Sequence, residues 1–191
     1  MWRTISAAWL VLCAAFSAHG AEVGGVQIVD TVRIGATDVM LNGAGIRTRA
    51  IFKVYVGALY LPEKKSVASE VLASKGPKRI ALHMLRDLSS EQLGGALSDG
   101  LAANLTEAEG ARFKSQIDEL RATMDAVGAA KEKSVVTLDF VPEAGIRIAL
   151  DGVPKGKPIA GEDFYRALLK IWLGEKPVER SLKAAMLGQP N

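Results

Sequence analysis

From Ile51 to Leu61 the chain carries a single charge, Lys53, among β-branched and aromatic residues that favour an extended strand. In a regular strand Ile51, Lys53, Tyr55, Gly57, Leu59 and Leu61 face one way, and Phe52, Val54, Val56, Ala58 and Tyr60 the other. Both faces are largely apolar, which predicts a strand covered on both sides, or covered on one and lining a cavity on the other. Before it, Gly43 and Gly45 flank a short stretch that ends in Arg47. Glycine takes positive φ without penalty, so this stretch is predicted to be a tight turn that presents Arg47 at the mouth of the strand.

The remaining pattern alternates between the two periods. Val26 to Val29, Thr31 to Ile34 and Val39 to Leu41 read as short strands, with Gly35 to Asp38 as a turn. Ser66 to Ser74 reads as a short helix, and Ile80, Leu82 and Met84 share one face of a further strand. Ser89 with Gln92, and Thr106 with Glu109, have the spacing of capping boxes. They predict a glycine-bearing helix to about Ala103 and one amphipathic helix from Thr106 to about Val127. Ser134 to Val141 and Gly145 to Leu150 are strand-like, and Asp151-Gly152 turns into a short strand at Lys157 to Ala160. A helix then carries Phe164, Ala167, Leu168, Ile171 and Trp172 on one stripe to Gly174, and a terminal helix covers Val178 to Leu187. Strands, then helices, then strands and helices again predict an α+β domain, an antiparallel sheet with helices on one face.

Composition changes this picture at the N-terminus. Arg3 is the only charge of the first twenty residues, an apolar run follows from Ala7 to Phe16, and Ala18-His19-Gly20 supplies small residues before a cut. The expectation is a signal peptide over 1–20 and one domain over 21–191, with a periplasmic location. The apolar run is shorter than the ~20 residues that a spanning helix needs, so no stable membrane anchor is expected. Cys13, the sole cysteine, lies in that leader, so disulfides, thiolate nucleophiles and cysteine metal sites are excluded from the remainder. His83 is then the only histidine, and no metal site or cofactor is expected. Without Arg3 the balance is 23 basic to 21 acidic residues, scattered among Pro and Gly, which does not point to nucleic acid.

Gly-Ala-Gly-Ile-Arg followed by Phe-Lys-Val-Tyr-Val-Gly-Ala-Leu-Tyr-Leu resembles the opening strands of the chalcone isomerase family, and particularly its bacterial periplasmic chalcone isomerase-like branch. Arg79 to Ser89 is similar to the family's next core strand, and Gly161 to Gly188 to the closing helices of that branch. The likeness spans roughly residues 22 to 188 and implies the family's open-faced β-sandwich.

For function, the resemblance implies either an isomerase that closes a phenol onto an enone or a binder of fatty acids. In the enzymes an arginine, a threonine, a lysine, a tyrosine and an asparagine surround the substrate. Here Arg47 keeps the first place, Tyr55 stands at the threonine, Met84 or His83 at the lysine, and Gln92-Leu93-Gly94 near the tyrosine. No catalytic residue is assigned, because cyclisation needs positioned donors where charge develops. In the family's binders the arginine, helped by a tyrosine, holds a carboxylate, which implies Arg47 with Tyr55 or Tyr60 around a small apolar carboxylate. Tyr55 shares Arg47's parity in the absence of a bulge, and Tyr60 does not. Two other readings stand beside this one. Arg47 pairs with a carboxylate of the chain itself, or Trp172 and the terminal helix meet an envelope protein.

Overall fold

The structure, a computed structural model, describes residues 20–189. The expected signal peptide over 1–20 lies, Gly20 apart, outside them. The described chain opens with a hairpin of β1 (Gly20–Val23) and β2 (Val26–Val29). The strands β3 (Thr31–Ile34), β4 (Thr37–Arg49), β5 (Phe52–Leu61), β6 (Lys78–Met84), β7 (Val135–Val141), β8 (Gly145–Leu150) and β9 (Val153–Ile159) then pair in chain order as one seven-stranded antiparallel sheet. Helix α1 (Ala68–Ala73) links β5 to β6, α2 (Ser90–Asn104), α3 (Glu107–Arg112) and α4 (Lys114–Val127) link β6 to β7, and α5 (Glu162–Leu173) and α6 (Arg180–Met186) close the chain.

The alternation along β5 decides how these layers stack. Leu59 and Leu61 point into the main core with Ile80, Leu82, Leu138 and the helix residues Phe164, Leu168 and Trp172. Val56, Ala58 and Tyr60 point to the opposite face, where Ile28 of the β1–β2 hairpin covers them. The fold is therefore α+β, an antiparallel sheet covered by helices on one face, as the pattern predicts. Both capping boxes form: Gln92 N–H donates to Ser89 Oγ at 3.3 Å, and Glu109 N–H to Thr106 Oγ1 at 3.2 Å. The helix predicted from Thr106 to Val127 is divided at Phe113 (φ −96°, ψ 11°). Its buried ring packs there on Phe164, centroids 5.6 Å apart, and this packing overrides the helical period.

Gly43 and Gly45 do not form the predicted turn. β4 runs straight through them to Arg49, and neither has positive φ. What they supply is the missing side chain. A Cβ on Gly45 would stand 2.6 Å from Ala185 Cβ of α6, and one on Gly43 would overlap the Ala185 carbonyl oxygen. The bare strand thus lets α6 lie directly on the sheet. The pairing of β4 with β5 slips by one at Asn42, whose side chain is buried. Its amide donates to Met186 O at 2.7 Å and to Lys65 O at 2.9 Å, and its oxygen accepts from Lys65 N–H at 2.7 Å. A polar residue in an apolar layer is thereby satisfied, and it fixes the end of α6 to β4.

Candidate functional site

The β4–β5 hairpin builds one wall of the site by breaking its own register. Arg47 stands directly opposite Tyr55, but the next pairs are Thr48 with Lys53 and Arg49 with Phe52, so Val54 is the extra residue of a bulge. A one-residue slip moves every following side chain to the other face. Without it Phe52 would point with Val56 to the back of the sheet; with it Phe52 joins Arg47, Arg49 and Tyr55 on the helix side. The bulged Val54 keeps its carbonyl satisfied by Leu85 N–H at 3.0 Å.

α2 packs chiefly on α4 and α5, and between it and this end of the sheet lies a cleft of about 620 Å³. Leu82, Leu93, Leu97, Ile171, Trp172 and Val178 give it apolar walls. Its charged lining is mostly cationic: Arg47, Arg49, Arg86 and Lys176 against one carboxylate, Asp99. Of the three glycines in α2, Gly100 is the one that permits close approach, since a Cβ there would meet Ile171 Cγ2 at 2.7 Å.

Two hydrogen-bonded units set the chemistry of the cleft. Arg47 donates from Nη1 to the Thr48 carbonyl oxygen and, at 3.3 Å, to Glu179 Oε2. The same Oε2 accepts Thr48 N–H at 2.6 Å. Glu179 precedes α6, so the helix that Gly43 and Gly45 admit delivers a carboxylate to the arginine. The hydrogens on Arg47 Nε and Nη2 have no acceptor among the described residues. Trp172 Nε1–H donates to the Tyr55 hydroxyl oxygen at 3.0 Å, which leaves the phenol hydrogen free. Burial pushes the Tyr55 pKa up to about 12, with the indole bond and Arg47 opposing, so the phenol is a donor at neutral pH.

The structure brings together Arg47 and Tyr55 and separates Tyr60 from them. Tyr60 is buried on the opposite face and donates to Val29 O at 3.0 Å; burial raises its pKa to about 12 as well. Met84 pairs with Tyr55 and is buried in the main core. His83 is half-buried on the back face, where burial lowers its pKa and its Nε2 has no partner. Trp172 is buried within its own core. Among the described residues no three His, Cys, Asp or Glu side chains gather as a metal site, and no helix is long and apolar enough to cross a membrane. Sequence reasoning missed Arg49, Arg86, Lys176 and Glu179. The available signal was Arg49 itself, two residues from Arg47 and therefore on its face in an extended chain.

The chain belongs to the chalcone isomerase-like family, whose model matches residues 20–188. Among solved structures it is similar to a fatty-acid binding protein of Arabidopsis thaliana, with a TM-score of 0.66 at 16% identity over 85% of this chain and 92% of that one. No curated protein matches it in sequence. These findings correct the narrower expectation. The match is to the chalcone isomerase-like family and to a plant structure, not to a bacterial periplasmic branch, and the periplasmic location expected with that branch falls with it.

Proposed function

We propose that the protein binds a fatty acid, or another apolar carboxylate, in this cleft and does not catalyse a reaction on it. The observation that carries the reading is a space of about 620 Å³ with apolar walls, whose charged lining is four cations to one carboxylate. That volume lies within the ~300–1,000 Å³ of ligand pockets. Arg47 spends only Nη1 on the protein, so its Nε and Nη2 edge, the pair that meets a carboxylate as a fork, is open to a ligand. The Tyr55 phenol supplies one further donor. The fatty-acid binding protein of Arabidopsis shares the fold, which supports the same class of ligand. The isomerase reading lacks its donors, since by the resemblance Tyr55, and Met84 or His83, stand where the enzymes carry threonine and lysine.

The test is titration of purified protein with a medium or long fatty acid by calorimetry. Arg47→Ala should weaken binding roughly 10 to 150-fold, the equivalent of ~1.5–3 kcal/mol for a hydrogen bond to a charged group. Tyr55→Phe should weaken it less, and Tyr60→Phe should leave it unchanged. Unaltered affinity in Arg47→Ala would leave only its pairing with Glu179 as the role of that side chain.

A further inference from the structure

The β4–β5 hairpin ends in a turn that breaks the usual rules. Ala50 and Ile51 are its central residues, and Ala50 has φ 54°, a left-handed conformation in which hairpin turns ordinarily use glycine or asparagine. Ile51 is 86% exposed and Phe52 54% exposed, adjacent large apolar side chains at a protruding tip. Backbone strain and exposed apolar bulk at the same few residues are what a folding argument removes and a binding argument explains.

The charge around the tip is of one sign. From Val39 to Pro62 the charged residues are Arg47, Arg49 and Lys53, with no carboxylate. Arg86 of the neighbouring segment stands over the Phe52 ring, 4.9 Å from its centroid. Of the acids on neighbouring elements, Asp87 holds Lys131 at 2.9 Å, Glu179 holds Arg47, Glu132 stands beside Asp87, and Asp99 lines the cleft from α2. We propose that this tip docks on an anionic lipid surface, with Ile51 and Phe52 entering the acyl boundary and Arg49, Lys53 and Arg86 meeting the headgroups. Interfacial segments bury their apolar side ~5–10 Å deep, and each basic residue near an anionic surface strengthens binding about fivefold. A narrow projecting tip fits that boundary better than a protein partner, since a stable protein interface needs about 1,000 Å² of matched surface. Docking is reversible and peripheral. It goes beyond the proposed ligand and does not depend on it, but Arg49, Phe52 and Arg86 also line the cleft, so a docked molecule holds its cleft mouth against acyl chains.

Flotation with vesicles tests this directly, comparing phosphatidylcholine alone with phosphatidylcholine containing about one third phosphatidylglycerol. The wild type should partition onto the anionic vesicles and release at high salt. Ile51→Asp should lower the partition coefficient about tenfold or more, and Lys53→Glu about fivefold or more. Neither residue lines the cleft, so both variants should retain the wild-type melting temperature and the wild-type fatty-acid affinity in vesicle-free buffer. No partition onto anionic vesicles, equal partition onto neutral ones, or undiminished partition of Ile51→Asp overturns the proposal, and a protein partner would then be the better account of the tip. A wild type that docks yet binds no fatty acid in buffer supports the docking and refutes the ligand.

Discussion

Gly45→Ala places a methyl group where the structure has room for none. Its carbon would stand 2.6 Å from Ala185 Cβ, against ~3.5–4.0 Å for carbon atoms in contact, so α6 would have to withdraw by about 1 Å. That withdrawal stretches every bond that ties α6 to the sheet: Glu179 on Thr48 N–H at 2.6 Å, Glu179 on Arg47 at 3.3 Å, and Asn42 on Met186 O at 2.7 Å. Overpacking of this kind costs ~1–3 kcal/mol. The smaller conformational freedom of alanine in the unfolded chain returns ~0.4–1 kcal/mol. A net destabilisation of about 1–2 kcal/mol follows, or a fall of roughly 2–8 °C in Tm at ~2–4 °C per kcal/mol. The measurement is urea unfolding of four proteins: wild type, Gly45→Ala, Ala185→Gly and the double variant. Ala185→Gly alone loses ~1 kcal/mol of helix propensity, but in the double variant it removes the atom that clashes, so the two losses should not add. Gly43→Ala should be worse and should not be rescued by Ala185→Gly, because the atom it meets is a backbone oxygen. A Gly45→Ala protein within 0.5 kcal/mol of wild type, or a double variant whose losses simply add, would refute the close approach of α6 as the reason for the glycine.

Glu179→Gln removes the charge that competes with a ligand carboxylate for Arg47 while keeping an acceptor for Thr48 N–H; fatty-acid affinity should rise about three- to tenfold, and a fall would contradict the carboxylate site. Lys78 is buried beside Phe140 with one carbonyl acceptor, Gly76 O at 3.2 Å, and burial lowers its pKa to about 8, with Glu162 opposing and Arg166 and Lys75 adding to the shift. The unfolded chain holds that proton up to about 10.5, so the penalty is complete below pH 8 and is relieved as pH rises from 8 to 10.5. Lys78→Met should therefore be more stable by about 1–3 kcal/mol at pH 7 in urea unfolding, with the advantage shrinking across that window; a constant difference would assign it to packing instead of charge.

The fold was legible wherever local chemistry and burial agreed. Ser89 with Gln92 and Thr106 with Glu109 announce helix starts because their bonds are local, and the structure forms both. The parity of Leu59 and Tyr60 followed from the two-residue period of β5, which is regular there. The errors share a cause. Glycine was read for its freedom of φ at Gly43 and Gly45, whereas a helix far along the chain uses its lack of a side chain. The helical period from Thr106 to Val127 runs through Phe113 without a break, whereas its ring follows Phe164. In each case the deciding contact is distant in sequence, and a single chain shows no trace of it.

The site was legible only in Arg47 and Tyr55, which share odd parity in the sequence and face each other in the structure. They do so because two odd steps between them cancel, the two-residue turn at Ala50 and Ile51 and the extra residue Val54. Beyond it, the simple alternation assigns Phe52 to the back of the sheet, and the structure turns it to the cleft with Arg49. The slip adds Phe52 to the cleft, whereas the second arginine, Arg49, lies on the face of Arg47 by the two-residue period of β4 alone. A regular β5 would have kept Phe52 beside Val56 on the back of the sheet and left the cleft end open. Deleting Val54 leaves Phe52 two residues from Tyr55 and on its face in regular pairing, so fatty-acid binding and vesicle docking should both survive in a protein whose far-ultraviolet circular dichroism still reports the sheet. Loss of either activity in that folded protein would mean that the bulge does more than set the side to which Phe52 points.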